Sequence, residues 1–317
     1  MVRIAVQMDP FERLVPKTDT TLALIAEMER RGQELYVYTP ESLMMRSGRV
    51  HAQGRRVLRA GDSFLPVCGD YLPLDLHTMD LILLRQDPPF DMAYITSTYM
   101  LEFLLKDAVV VNDPVGVRNW PEKIAVTAFP DLIPPTLITR DYGAILAFHD
   151  EVGDCVMKPL YGHAGKHIFH LRRGDLNLQV AHEIFSSLGP EPWVTQKFLP
   201  KVVEGDKRII LINGEPLAGM NRVPPGQTIR SNTARGASAH MMPLTGREEH
   251  ICETIGPHLR KNGLVLAGID VIDGWLTEIN VTSPTGLCMI RDLGGPDLIP
   301  VLCDALLEKV KTGPRRK

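Results

Sequence analysis

The chain has 317 residues, a formal net charge of −3 and 23% charged side chains. That balance gives no basic field for nucleic acid and no polybasic anchor for a membrane surface, and no apolar window approaches a membrane span. With 44% hydrophobic residues at this length, two or three packed units are expected rather than one simple core.

Arg3–Met8 reads as a buried first strand, cut off by Asp9-Pro10 before it could serve as the apolar region of a signal peptide. From Thr18 to Arg31, Leu22, Ile25, Ala26 and Glu29 follow helical spacing, with Gly32 as the stop. Glu34–Tyr38 is a second strand, and this β-α-β opening predicts an α/β domain with a parallel sheet. Arg46–Pro73, with its Pro and Gly residues, reads as an antiparallel excursion or a set of loops. Asp80–Leu84 is another strand, ending in Arg85-Gln86-Asp87-Pro88-Pro89-Phe90-Asp91. Charges just past a parallel strand's carboxyl end sit where open α/β sheets bind ligands; the other reading is a Pro-rich turn with solvated charges. Tyr94–Leu105 is expected to be helical, Val109–Asn112 a strand and Val115–Arg118 a connection, so the first unit covers residues 1–120.

Pro121-Glu122-Lys123 opens a helix over Ile124–Phe129, because proline and then an acid mark a helix start; Lys123 projects from its first turn. Thr136–Thr139 is a strand, Tyr142–Phe148 a short helix, and Cys155–Leu160 a strand carrying Lys158 among apolar residues. A lysine there needs an anionic partner such as phosphate; the alternative is a solvated edge lysine. Tyr161–His167 follows, a turn whose Gly162 and Gly165 let backbone N–H groups approach an anion, although its spacing is not that of a Walker loop. After a strand at Ile168–Leu171 and a helix at Ala181–Leu188, Trp193–Pro200 is a strand running into a hinge. Gly205-Asp206-Lys207-Arg208 leads the strand Ile209–Ile212 into an Asn213-Gly214 hairpin turn, with Arg208 a candidate clamp for phosphate or carboxylate. The polar, aperiodic stretch Arg222–His240, which contains Arg230, Asn232 and Arg235, is expected to be a mobile loop over the site. Arg247–Asn262 is a helix stopped by Gly263, and Pro300–Lys311 is the last helix.

Gly268–Gly286 carries the most chemistry. Two apolar runs flank Asp273-Gly274, a strong hairpin signal. Glu278 and Asn280 are two apart and share a strand face, and cross-strand pairing could bring Asp270 beside them. Two carboxylates and an amide oxygen form a hard donor set suited to Mg²⁺ with water and phosphate as the remaining ligands. The competing reading is an acidic hairpin facing water. The five cysteines (Cys68, Cys155, Cys252, Cys288 and Cys303) are scattered and in no metal-ligand spacing, as expected of reduced thiols in a soluble, cytoplasmic protein.

The run Leu-Thr-Glu-Ile-Asn-Val-Thr-Ser-Pro-Thr resembles the metal-binding end of bacterial glutathione synthetases, which are ATP-grasp carboxylate–amine ligases. Met8-Asp9-Pro10, Asp87-Pro88-Pro89-Phe90-Asp91, Lys158-Pro159-Leu160 and Gly205-Asp206-Lys207-Arg208 stand in the order of that family. The resemblance implies an ATP-grasp fold behind the N-terminal substrate-binding domain, with a central subdomain over residues 121–198 and a C-terminal one over 199–317. It implies ATP as co-substrate, Mg²⁺ or Mn²⁺ as the metal, γ-glutamylcysteine and glycine as substrates, and a homotetramer. Lys123, Lys158, Gly162, Gly165, Gln196, Phe198, Leu199 and Asp206 are then nucleotide residues. Asp270, Glu278 and Asn280 are metal ligands, Arg208 and Arg230 brace the reacting acyl group, and Asp9, Arg85, Asp87, Ser283 and Thr285 contact substrate. Departures from the family pattern fall at Ala164, Lys166, His167, Ser238, Cys288 and Met289. They leave open a related ligase with another donor or acceptor, or a nucleotide-binding protein without turnover.

Overall fold

Strand β1 (Arg3–Gln7) alternates its side chains between two cores. Ile4 and Val6 join Leu24, Ile25 and Met28 on one side, and Ala5 joins Tyr36, Ile82 and Leu101 on the other. A strand covered on both faces belongs in the middle of a parallel sheet, and β1 sits there. Around it are α1 (Thr20–Arg30), β2 (Glu34–Arg46), β3 (Arg49–Arg59), β4 (Val67–Asp75), β5 (Leu81–Leu84), α2 (Met92–Glu102), β6 (Val109–Val111) and α3 (Pro114–Asn119). The strand order is β4-β3-β2-β1-β5-β6. β2, β1, β5 and β6 run parallel, while β3 and β4 are antiparallel additions. The structure is a computed structural model and describes residues 1–59, 65–162, 165–226 and 236–313.

The rest of the chain builds two antiparallel sheets. α4 (Glu122–Ala125), β7 (Thr136–Thr139), α5 (Tyr142–Val152), β8 (Cys155–Pro159), β9 (Phe169–Leu171), α6 (Asn177–Leu188) and β10 (Trp193–Lys197) give a four-stranded sheet of order β7-β10-β8-β9. Its own core contains Ile145, Met157, Phe185 and Trp193. β11 (Asp206–Ile212), β12 (Glu215–Val223), β13 (Ser238–Met241), α7 (Gly246–Lys261), β14 (Leu266–Ile272), β15 (Trp275–Asn280), α8 (Leu287–Asp292) and α9 (Leu298–Thr312) give a five-stranded sheet of order β13-β12-β11-β14-β15. This sheet shares both large hydrophobic clusters with the N-terminal one, and Leu298, Leu302 and Leu306 of α9 pack into the same cluster as Leu24 and Met28 of α1. Arg31 at the end of α1 ties the two helices together through the Pro300 carbonyl at 3.0 Å.

Several elements differ from the sequence reading. Val115–Arg118 is not a connection but part of α3, because Asp113 caps the Val115 and Gly116 amides and Pro114 occupies the first turn. The helix expected over Ile124–Phe129 is α only to Ala125 and continues as 3₁₀ from Val126 to Ala128. β2 runs on past Tyr38 to Arg46, since β3 offers it a partner as far as Arg49. Arg222 and Val223 are not in a loop: they belong to β12, paired with Ala239 and Ser238 of β13. Arg230, Asn232, Arg235 and Ala164 lie outside the described residues. Among the described residues no helix is long and apolar enough to cross a membrane.

Candidate active site

The parallel strands of the N-terminal sheet leave a crevice between the carboxyl ends of β1 and β5, where the strand order reverses and ligands bind in open α/β sheets. Asp9 lies there and accepts from the Asp87 amide at 2.6 Å. Arg85 is buried at the same place. Its Nε donates to Thr21 Oγ1 at 3.1 Å and its Nη2 to the Pro284 carbonyl at 3.2 Å, while Nη1 meets no acceptor among the described residues. Ser283 donates to the Arg85 carbonyl at 3.2 Å. The N-terminal sheet is thereby joined to the Ser283–Thr285 turn.

Beyond this turn a cavity of about 440 Å³ opens between the two antiparallel sheets. Asp87, Lys123, Lys158, Gly162, Gly165, Gln196, Phe198, Leu199, Asp206, Arg208, Asp270, Glu278, Asn280, Ser283 and Thr285 all line it, whereas Asp9 and Arg85 do not. The volume is in the range of small-molecule and cofactor sites.

Two charge clusters dominate. In the first, Arg208 grips Asp270 bidentately, Nε to Oδ1 at 2.6 Å and Nη2 to Oδ2 at 2.9 Å. Arg222 Nη2 reaches Asp270 at 2.8 Å and Asp206 at 2.7 Å. Burial opposes ionisation of Asp270, but the Arg208 and Arg222 guanidiniums outweigh it and hold its pKa down at about 2. In the second, Lys123 and Lys158 stand 3.6 and 3.5 Å from Glu278 Oε1. Burial disfavours charge on Glu278 too, and the two lysines overcome it and lower its pKa. Lys123 also donates to the Gly162 carbonyl at 2.6 Å and pairs with Glu122. Burial raises the Glu122 pKa more than Lys123 lowers it. Each cluster therefore holds two carboxylates and two cations in near balance, all at one cavity.

The donor chemistry fits a hard divalent cation. Asp270 and Glu278 are paired across β14 and β15, and Asn280 lies two residues on, its Nδ2 3.3 Å from Asp270 Oδ2. Among the described residues no three His, Cys, Asp or Glu side chains form a closed metal cage. Asp270, Glu278 and Asn280 are the residues that could hold such an ion, with water and phosphate oxygens as its remaining ligands.

At the other end of the cavity, Gln196 is held by Thr136 Oγ1 at 2.8 Å. The Phe198 amide is already bonded to the Asp154 carbonyl at 2.9 Å, so this hinge residue has its carbonyl rather than its N–H for a ligand. His170 stacks on the Phe198 ring, centroids 3.9 Å apart and planes at 24°. Gly165 lies at φ +65 and His167 at φ +54, a turn that closes the β8–β9 hairpin beside the cavity. Cys288 is buried and donates to the Asp19 carbonyl at 3.6 Å, outside the cavity lining.

Two cavity residues and one that stacks behind it lack a sequence signal for this role. Glu122 reads only as a helix start, His170 belongs to no motif, and Arg222 falls in the aperiodic stretch, although the Asn213-Gly214 turn points toward it. That turn, with φ of +51 and +75, pairs Ile212 with Glu215, and an unbroken ladder from there sets Asp206 opposite Asn221. A bulge after Ile210 shifts the register by one and sets Asp206 opposite Arg222.

Known proteins resemble this chain over most of its length. The N-terminal domain of prokaryotic glutathione synthetase matches residues 2–118, and the ATP-grasp domain of prokaryotic glutathione synthetase matches residues 122–295. The glutathione synthetase of Bradyrhizobium diazoefficiens is 48% identical over 97% of this chain and 98% of its own. That of Agrobacterium fabrum is 46% identical over 96% of each, and that of Coxiella burnetii 40% identical over 90% of each. Among solved structures, the D-cycloserine synthetase DcsG superimposes with a TM-score of 0.70 at 14% identity, covering 97% of this chain and 99% of that one. The ATP-grasp ligase PsnB in complex with its minimal precursor gives a TM-score of 0.64 at 18% identity, over 98% and 99%; these two likenesses show the ATP-grasp fold. From its N-terminal sheet to the carboxylates of its last hairpin, the chain belongs to the prokaryotic glutathione synthetase family.

Proposed function

We propose that this protein joins γ-glutamylcysteine to glycine with hydrolysis of ATP to ADP and phosphate, forming glutathione. The cysteinyl carboxylate attacks the γ-phosphorus of ATP, which releases ADP and leaves an acyl phosphate. The glycine amine then attacks the acyl carbon, phosphate departs, and the amine proton passes to phosphate or water. No side-chain nucleophile is needed, because phosphorylation itself turns an oxide into a good leaving group.

The observation that carries this reading is the balanced charge of the cavity. Lys123, Lys158, Arg208 and Arg222 are held there by carboxylates. Anionic phosphates can take over these cations, and a divalent cation on Asp270 and Glu278 would keep the carboxylates so released from being left unpaired. Asp270, Glu278 and Asn280 would hold Mg²⁺ or Mn²⁺, which when bound spreads the negative charge that develops in phosphoryl transfer. Lys123 and Lys158 orient the phosphates, and Gly162 and Gly165 allow backbone to approach them. Gln196, Phe198 and Leu199 hold the base, and Asp206 lies toward the ribose. Arg208, with Arg230, braces the tetrahedral intermediate. Asp9, Arg85 and Asp87 contact substrate from the N-terminal sheet, where the Arg85 Nη1 group has no acceptor among the described residues, and Ser283 and Thr285 contact it from the adjoining turn.

Residues 1–120, 121–198 and 199–317 act as substrate, central and C-terminal units of a cytoplasmic homotetramer. The deciding experiment is coupled ADP release with each substrate omitted in turn, extended to a panel of amines (glycine, alanine, serine, β-alanine) and donors (γ-glutamylcysteine, γ-glutamyl-2-aminobutyrate, glutamate). Turnover that requires both γ-glutamylcysteine and glycine supports the proposal. A different best pair would replace it with a related ligase, and ATP binding without turnover would replace it with a nucleotide-binding protein.

A further inference from the structure

The hairpin that carries the metal donors ends abruptly. Asn280 still pairs with Gly268, but the next residues leave the sheet for the turn Thr282-Ser283-Pro284-Thr285. What stands where the ladder would continue is the side chain of Asn112, at the end of β6 in the N-terminal sheet. Its Nδ2 donates to the Leu266 carbonyl at 2.8 Å and to the Val281 carbonyl at 2.7 Å, and its Oδ1 accepts from the Leu266 amide at 3.0 Å. The carboxamide is buried, and both of its ends are bonded. It behaves as one peptide unit of an absent strand: it pairs with Leu266 in both directions and captures the first carbonyl after Asn280.

We propose that Asn112 is the positioning residue for the metal and substrate side of the site. By ending the β14–β15 ladder it fixes where the chain turns away. That sets the placement of Asn280, whose next carbonyl it holds, and of Ser283, three residues after Asn280. A side-chain amide suits this task because it offers a donor pair and an acceptor in one plane. No other side chain of similar volume does so: serine has one hydroxyl, and ionised aspartate would turn acceptors toward two carbonyls. Outer partners of this kind orient the groups that bind a metal without touching it. The neighbouring Asp113 amide adds a bond to the Gly263 carbonyl at 3.2 Å, so the two sheets stay joined when the Asn112 side chain is changed.

The inference rests on the metal assignment made above, and its test separates the two. Asn112→Ser and Asn112→Asp are made in the full chain beside Glu278→Gln. Mn²⁺ binding is followed by water-proton relaxation in the presence of ADP, and hydrogen exchange is followed over residues 278–285. Both Asn112 variants are expected to unfold cooperatively and to bind metal-free ADP as the parent does, since the adenine hinge lies in another sheet. Mn²⁺ binding should weaken about 10- to 100-fold, with faster exchange at Val281–Thr285. Parent-like Mn²⁺ binding and exchange in a folded variant would overturn the role of Asn112, provided Glu278→Gln weakens Mn²⁺. If Glu278→Gln also leaves Mn²⁺ binding intact, the metal assignment itself falls. Loss of cooperative unfolding in both Asn112 variants would equally overturn the proposal, because the residue would then hold the whole fold rather than the site.

Discussion

Replacing Glu278 by Gln keeps the side-chain volume and removes one charge from the cavity wall. The carboxylate faces Lys158 at 3.5 Å and Lys123 at 3.6 Å. At an effective dielectric near 20, each such contact is worth about 4 kcal/mol of gross attraction. The side chain is 23% exposed to the cavity, so water repays most of that, and the net loss of stability should be about 1–2 kcal/mol. The effect on activity is of another size. A neutral amide replaces an ionised donor where phosphate charge develops, and the loss of about 4 kcal/mol of transition-state stabilisation lowers kcat/KM about 10³-fold. The assay is coupled ADP release with γ-glutamylcysteine and glycine at increasing Mg²⁺, with thermal unfolding in parallel. Near-parental turnover at saturating Mg²⁺ would refute the metal role of this carboxylate, and a collapse of Tm would recast it as structural.

Lys158→Met should raise the apparent KM for ATP far more than that for glycine, and unchanged ATP affinity by calorimetry would remove Lys158 from the nucleotide site. Cys288→Ser should leave kcat and both substrate KM values unchanged, because the thiol packs behind the cavity and burial pushes its pKa up to about 11; slow reaction of this thiol with alkylating reagents in the native protein checks the same point. In chelated protein, Asp270 contributes stability that is complete above its ordinary value of 3.8 and is lost as pH falls toward about 2. Urea unfolding should therefore show a gap between parent and Asp270→Asn that is constant above about pH 5 and narrows by about 2 kcal/mol as the carboxylate titrates. A gap that widens on acidification would contradict the ion pairs with Arg208 and Arg222.

Much of this protein was legible in one dimension. Apolar runs with period-two or helical spacing located the strands and most helices. Asp273-Gly274 and Asn213-Gly214 marked two hairpins that adopt positive φ at both central residues, because Asn, Asp and Gly tolerate that conformation best. The ordered motifs from Met8-Asp9-Pro10 to the Ser283-Pro284-Thr285 turn carried the family. Helix lengths were less legible, since Asp113 and Pro114 make a short helix of residues whose own periodicity is too brief to read.

Facing, by contrast, was decided in three dimensions. Counting back from the Ile272–Trp275 pair at the Asp273-Gly274 turn sets Asp270 opposite Thr277, which would put Glu278 and Asn280 on the other face of the sheet. In the folded chain a bulge follows Asp270, and Thr277 is the extra residue, its Oγ1 bonded to the Asp270 carbonyl at 3.0 Å. Asp270 is thereby moved opposite Glu278, and the three oxygen donors share one face. A similar one-residue bulge brings Arg222 opposite Asp206. Side chains alternate with a period of two, so a single inserted residue reverses which groups meet. Which donors and cations exist, and on which strands, follows from the order of residues alone. Where ladders slip by one residue, and where Asn112, just past a distant strand, ends one, depends on packing between sheets, and that alone gathered them into a site.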